Sequence, residues 1–373
     1  MFIVVIRVVY PEVFPVIVSD LLISVVGAMF GVYLSVELLL PYVRHVERVR
    51  IDESDDIVES HDEPTTFMRF DDMPGRADTL PDVIPVTVEH LPREIHGYDQ
   101  FACSQPISGQ YRIPDELSAL IEPDGEELRE LFRREDRSNG RKVRLDGVND
   151  ERFDVSVTTY YRSFLTNFCP DYPMSGGATL RELSETLLFD GDRVRPLSET
   201  PFSDHFGGGG LVITTDGRTV LPVRSGSVAV EGKALHVSFS GSFDVSHVEE
   251  GGVDRAQREI ATRELSLSDD QVRSVTYLGT TRRIERLGKP DTVAIALADS
   301  ESDLSTTTDQ FVGSYEIELL PDRDIESVEE LFEPAVARTV VERIVAEIDR
   351  HPYRPSLGLT SFLYLYWQLA VNE

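Results

Sequence analysis

From residue 210 onward the hydrophobic period of the sequence changes in a fixed order, and that order constrains the fold more than any composition figure does. Residues 210–215 read as a strand, Thr215-Asp216-Gly217-Arg218 as a turn and residues 219–224 as a second strand, which predicts a hairpin. Residues 235–240 alternate like a further strand. Residues 253–265 then switch to helical spacing, with Val253, Ala256, Ile260, Ala261 and Leu265 near a 3.6-residue period. Residues 272–282 and 292–297 return to strand character. Ser327-x-x-Glu330 has the form of a capping box ahead of an amphipathic helix over 335–348. Residues 356–371 are apolar but short for a membrane span, so they read as a core helix. Upstream, residues 114–134 suggest two short helices, and 143–145 and 153–161 suggest strands. The tract Gly207–Gly210 is not a P-loop, because no helix start follows it, and it reads as a flexible loop.

The chain has 373 residues, 41% of them hydrophobic, enough for one large domain or two small ones. Its formal net charge of −30 argues against general nucleic-acid binding, because the phosphate backbone would be repelled. Lys142, Lys233 and Lys289 are its lysines and the other basic residues are arginine. An acidic, lysine-poor surface suits concentrated salt, where screening removes self-repulsion, so the chain reads as an extreme halophile's protein. Cys103 and Cys169 are too few and too far apart for a disulfide framework or a metal knuckle.

The first fifty residues differ from the rest. Residues 21–36 carry no charge, and the apolar run extends over 16–40 if Asp20 and Glu37 are tolerated near its ends. A tilted membrane-spanning helix needs about 20 residues, and an N-terminal anchor over 1–50 is the preferred expectation. A buried core helix is the alternative, and a cleaved signal peptide a third. Arg44, Arg48 and Arg50 after the run, against Arg7 before it, place the C-terminal bulk in the cytoplasm. Gly27 and Gly31 form a G-x-x-x-G on one helix face, which fits either a homodimer contact or the ordinary frequency of glycine in membrane helices. Residues 51–83 are acidic, Pro-interrupted and without a sustained period, and read as a linker to a domain over 84–373.

The segment 238–267 carries the motif with chemical content. Glu250, seven intervening residues and Arg258-Glu259-Ile260 match the middle of the pattern G-x5-E-x7-R-E-U-x-E-E-x-G-U, where U is aliphatic. Asp244 stands at the first glycine, Thr262 and Arg263 stand at the paired glutamates, and Glu264-Leu265-Ser266-Leu267 reads like the ending shifted by one residue. Together with the turn TDG, Arg224-Ser225, LHVSFSG and Gly288-Lys289-Pro290-Asp291, this segment resembles the Nudix superfamily with a degenerate box. The resemblance is nearest to the branch around UDP-glucose pyrophosphatase-like proteins and covers about 140–370, with 84–140 as an N-terminal extension.

That resemblance implies an α+β fold, an α/β/α sandwich with a mixed sheet, preceded here by the single transmembrane helix. It implies Mg²⁺ or Mn²⁺ and a nucleotide-type small molecule whose phosphorus is attacked by water. Glu250, Glu259 and Glu264 would be metal ligands, Glu250 and Glu259 catalytic, and Arg224 and Lys289 substrate contacts. The alternative is an inactive module that binds a nucleotide or a protein at the membrane face. Metal binding on a helix needs carboxylates at i and i+4. The i+4 partner of Glu259 is Arg263, and Glu264 at i+5 lies about 140° round a regular helix. A π-bulge near 261–263 would restore a shared face, and Asp244, Glu249, Glu250 and Asp254 are further carboxylates nearby. Each residue also has a plainer reading: Glu259 and Glu264 as solvated acids, Arg224 as a strand-end surface group, His236 as a satisfied core histidine, Lys289 as part of a turn.

Overall fold

The computed structural model describes residues 67–372, apart from 72, 76–79, 98–108, 135–137, 226–230 and 307–309, and apart from the side chains at 96, 97, 134, 247–251, 254 and 372. The apolar run 16–40, with Gly27 and Gly31, lies outside the described residues. Among the described residues no helix is long and apolar enough to cross a membrane.

The elements run β1 (Phe67–Arg69), β2 (Val83–His90), β3 (His96–Gly97), α1 (Asp115–Ile121), α2 (Gly125–Arg134), β4 (Arg141–Val148), β5 (Phe153–Thr159), α3 (Tyr160–Ser163) and α4 (Leu180–Leu188). They continue with β6 (Phe189–Asp190), β7 (Arg193–Val194), β8 (Gly207–Thr214), β9 (Arg218–Arg224), β10 (Phe239–Ser242), α5 (Val245–Glu264), β11 (Val272–Arg283), β12 (Lys289–Ala298), β13 (Phe311–Glu318), α6 (Pro334–Arg350) and α7 (Leu357–Asn372). The main sheet has the order β1-β2-β11-β12-β8-β10, with β3 also on β11. It is mixed, because β12 and β8 pair in parallel while its other ladders are antiparallel.

Side-chain alternation along its central strands divides the core in two. Leu211, Ile213, Val293, Ile295 and Leu297 point to the face covered by α6 and α7. Val212, Ala294, Ala296 and Ala298 point to the opposite face, where α5, β4 and β5 pack. This is the period-2 rule of a sheet buried on both sides. The small alanines on the second face let α5 lie close. On the first face, Val336, Ala337, Val340, Val341, Ile344, Val345 and Ile348 form the buried stripe of α6. The apolar α7 is buried beside it, so residues 356–371 form the expected core helix.

Four expectations change. The turn at 215–217 is present, with the Gly217 amide donating to Thr214 O at 2.8 Å. Its two strands do not form a ladder: β8 joins β12 and β10, and β9 pairs with β13. The linker read over 51–83 contains β1, whose Phe67 and Met68 are buried, as are Phe70, Met73 and Leu80 after it. The glycine tract 207–210 is the start of β8 and not a flexible loop. The capping box is half formed: Ser327 N donates to Glu330 Oε1 at 3.2 Å, but the turn that follows is a short 3-10 turn, Glu329–Phe332.

Helix α5 breaks at Gly252, whose φ of 74° and ψ of −169° interrupt two helical pieces. A left-handed φ is cheap for glycine and costly elsewhere, so the second piece starts at Val253, where the apolar periodicity begins. It stays α-helical to Glu264, so the π-bulge considered at 261–263 does not form. A π turn occurs instead at Phe164–Phe168.

Candidate functional site

One end of the main sheet opens into a cavity of about 490 Å³. Its floor is the glycine start of β8 and the start of β12; β11 and the turn Ile284–Arg286 form one wall, the end of β9 and the start of α7 another, and the last turn of α5 a third. The glycines make this packing possible. A Cβ on Gly208 would lie 1.6 Å from Gln257 Oε1 on α5, and one on Gly241 would lie 3.1 Å from an Arg263 nitrogen and 3.2 Å from Ile260.

Six cationic side chains line the cavity: Lys142, Arg224, Arg263, Arg283, Arg286 and Lys289. Three carboxylates do so: Asp244, Glu264 and Asp291. That excess of positive charge stands in a chain of net charge −30. Each of the three carboxylates has a cation beside it. Glu264 Oε1 accepts from Arg263 Nη2 at 3.2 Å, Asp244 Oδ1 accepts from Lys142 Nζ at 2.5 Å, and Asp291 accepts from Lys289.

The cations differ in burial and partners. Arg283 is buried and held between Glu231, at 3.0 Å, and Glu285. Arg286 is 8% exposed, its guanidinium 5.2 Å from the Phe168 ring centroid, and its Nε has no hydrogen-bond partner among the described residues. Burial, reinforced by Arg283, lowers its pKa to about 10. Burial likewise lowers Arg224 and Lys289. Burial alone would push Glu231 up, but Arg283 first, with Arg286 and Arg224, pulls it down to about 2. Sites where desolvation and specific charges both act strongly are enriched in function.

Behind Arg224 runs a short polar relay. His236 is buried; its Nε2 lies 3.4 Å from Arg224 Nη1 and 3.1 Å from Ser240 Oγ, and its Nδ1 lies 2.6 Å from Ser356 Oγ. Arginine only donates, so Nε2 accepts and the proton sits on Nδ1. Ser356 Oγ in turn accepts from Leu359 N at 3.1 Å, capping α7. The expected satisfied core histidine is therefore found, and it also reaches the cavity wall.

His236 and His205 are both fully buried and held neutral, well below the ordinary histidine value. Burial is the main cause for each, followed by Arg224 for His236 and Lys289 for His205. The sign follows directly. An unfolded chain takes up protons at these positions below pH 6.5 and the folded chain does not, so their contribution is present above that pH and lost as pH falls. Stability should fall as pH drops below 6.5, with a slope that approaches about 1.4 kcal/mol per pH unit for each histidine for as long as the folded histidine stays neutral. Denaturant titrations across this window check it, and a flat profile would contradict it.

Of the residues expected in a site, Arg224, Glu264 and Lys289 meet at the cavity. Glu259 is not part of its lining, as the 140° separation from Glu264 requires. The side chains of Glu249, Glu250 and Asp254 lie outside the described residues. Arg283 and Arg286, with Lys142 and Arg263, were not expected. Residues 282–289 did hold a signal: four cations against one acid in a chain with 36 basic and 66 acidic residues.

The donor set does not fit a Mg²⁺ site among the described residues. A hard divalent cation needs several converging oxygen ligands. Here one buried carboxylate, Glu264, already pairs with Arg263, and no group of three or more metal-ligating side chains occurs among the described residues.

No family model and no curated protein matches the chain. Among solved structures it is similar to DR0079 from Deinococcus radiodurans, at 16% identity over 43% of this chain and 80% of that one, with a TM-score of 0.29. It is similar to a Nudix hydrolase from M. smegmatis, at 15% identity over 44% and 84%, with a TM-score of 0.25. It is also similar to a bifunctional NMN adenylyltransferase/ADP ribose pyrophosphatase from Francisella tularensis, at 13% identity over 36% and 42%, with a TM-score of 0.23.

Proposed function

We propose that this chain is a Nudix-like module that binds a phosphorylated, nucleotide-type anion in the cationic cavity, and that residues 16–40 anchor it to a membrane with the domain on the cytoplasmic side. The observation that supports this is the concentration of six cations around one cavity in a chain of net charge −30. Concentrating buried cations is costly, and a polyanion offsets that cost through charge-assisted, forked hydrogen bonds from arginine. UDP-glucose and ADP-ribose are suitable first ligands, since each carries a diphosphate between two bulky groups.

A second reading has one observation in its favour. Glu264, 3% exposed, places a carboxylate at the cavity wall, where a hydrolase would need one. The full chain should be incubated with UDP-glucose, ADP-ribose and simple nucleoside diphosphates, with Mg²⁺ or Mn²⁺. The binding reading expects a rise in melting temperature without turnover. Release of a nucleoside monophosphate that is abolished by Glu264→Gln would replace it with the hydrolase.

A further inference from the structure

We infer that the cavity takes phosphate groups directly on cationic side chains, without a divalent cation, and that Arg263 supplies positive charge at the α5 wall. This rests on the reading that the cavity binds a phosphorylated anion. The helix position that would carry a metal-binding glutamate in the box instead carries arginine. The carboxylate beside it, Glu264, is buried and accepts from both Nε and Nη2 of Arg263, at 3.4 and 3.2 Å. The other two carboxylates of the lining are matched to Lys142 and Lys289.

A metal ion taking these three carboxylates would displace their three ion pairs and face Arg224 and Arg286, whereas a phosphate can accept from the arginines and lysines of the lining, which only donate. Arg286 is the best-placed donor, being nine-tenths buried, with its Nε making no hydrogen bond among the described residues and only a long ion pair, 3.7 Å, to Glu285. Arg263 is suited to a different task. Its side chain is 52% exposed, and its guanidinium lies over Gly241, where any Cβ would come within 3.1 Å of it. It can therefore reorient from Glu264 onto an arriving anion, leaving Glu264 to hold it in place when the cavity is empty.

The test is calorimetric titration of the full chain with inorganic pyrophosphate, once in EDTA and once in excess Mg²⁺ at the same ionic strength. Binding in EDTA at least as tight as with Mg²⁺ is expected. Arg263→Gln should weaken the EDTA binding by about tenfold while Arg263→Lys retains most of it, because one charge-assisted contact is lost in the first and kept in the second. Binding that appears only with Mg²⁺ would overturn the inference and leave the binding site standing. Unchanged affinity in Arg263→Gln would overturn the role given to Arg263. Absence of heat under both conditions would remove the binding reading itself.

Discussion

Replacing Gly210 by alanine is expected to cost about 3 kcal/mol or more, at the upper end of what overpacking a core produces. The new Cβ would lie 1.8 Å from Ala294 O and 2.7 Å from its carbonyl carbon. Both atoms belong to the backbone of β12, which pairs with β8 in parallel at this register. No side chain can swing away to relieve the contact, so the two central strands must separate, and the cavity floor with them. Gly313, in the two-stranded sheet with β9, is the internal control: a Cβ there meets nothing within 4 Å. Its alanine variant should stay within about 0.5 kcal/mol of the parent. Denaturant midpoints of the two variants decide the matter, and equal midpoints would contradict the account of the glycine strand.

Arg283→Met should also lose about 3 kcal/mol or more near neutral pH, because it leaves Glu231 and Glu285 without their shared buried cation. The pH dependence carries the sign. In the parent, Glu231 is depressed from 4.5 to about 2, so its contribution is complete above pH 4.5 and disappears as pH falls from there toward 2. The stability difference between parent and variant should therefore be full at pH 7 and narrow below pH 4.5. A difference that is constant from pH 7 to 3 would mean that Arg283 acts through packing alone.

How much of this was legible in the sequence depends on whether the information was local. The second piece of α5 was, because Val253, Ala256, Ile260 and Ala261 keep helical spacing and Gly252 ends what comes before. Helix α6 is legible for the same reason, and α7 from its apolar composition over a stretch too short for a membrane span. The partner of β9 was not: its turn is a local signal, but its ladder is made with β13, some ninety residues later. The glycine tract 207–210 gives no strand signal in the sequence, because a strand without side chains has no period to detect. Its meaning lies in what approaches it, Gln257 from α5 and Ala294 from β12. Strand β1 is hidden because its two apolar residues, Phe67 and Met68, give no sustained pattern in an acidic stretch.

The site divides in the same way. Arg224, Glu264 and Lys289 were reached through the motif and its flanks. Arg283 and Arg286 became visible only once β11 and its terminal turn pointed inward at the end of the sheet. A basic run in a chain this acidic was the one available clue.

If the cavity binds phosphate, Arg286 is the side chain whose loss should weaken that binding most. Titration of pyrophosphate into the full chain and into Arg286→Gln measures it directly. Saturable binding to the parent is expected, with affinity reduced about tenfold or more in the variant, the range for losing a charged hydrogen bond at a buried site. The same affinity in both proteins would contradict it.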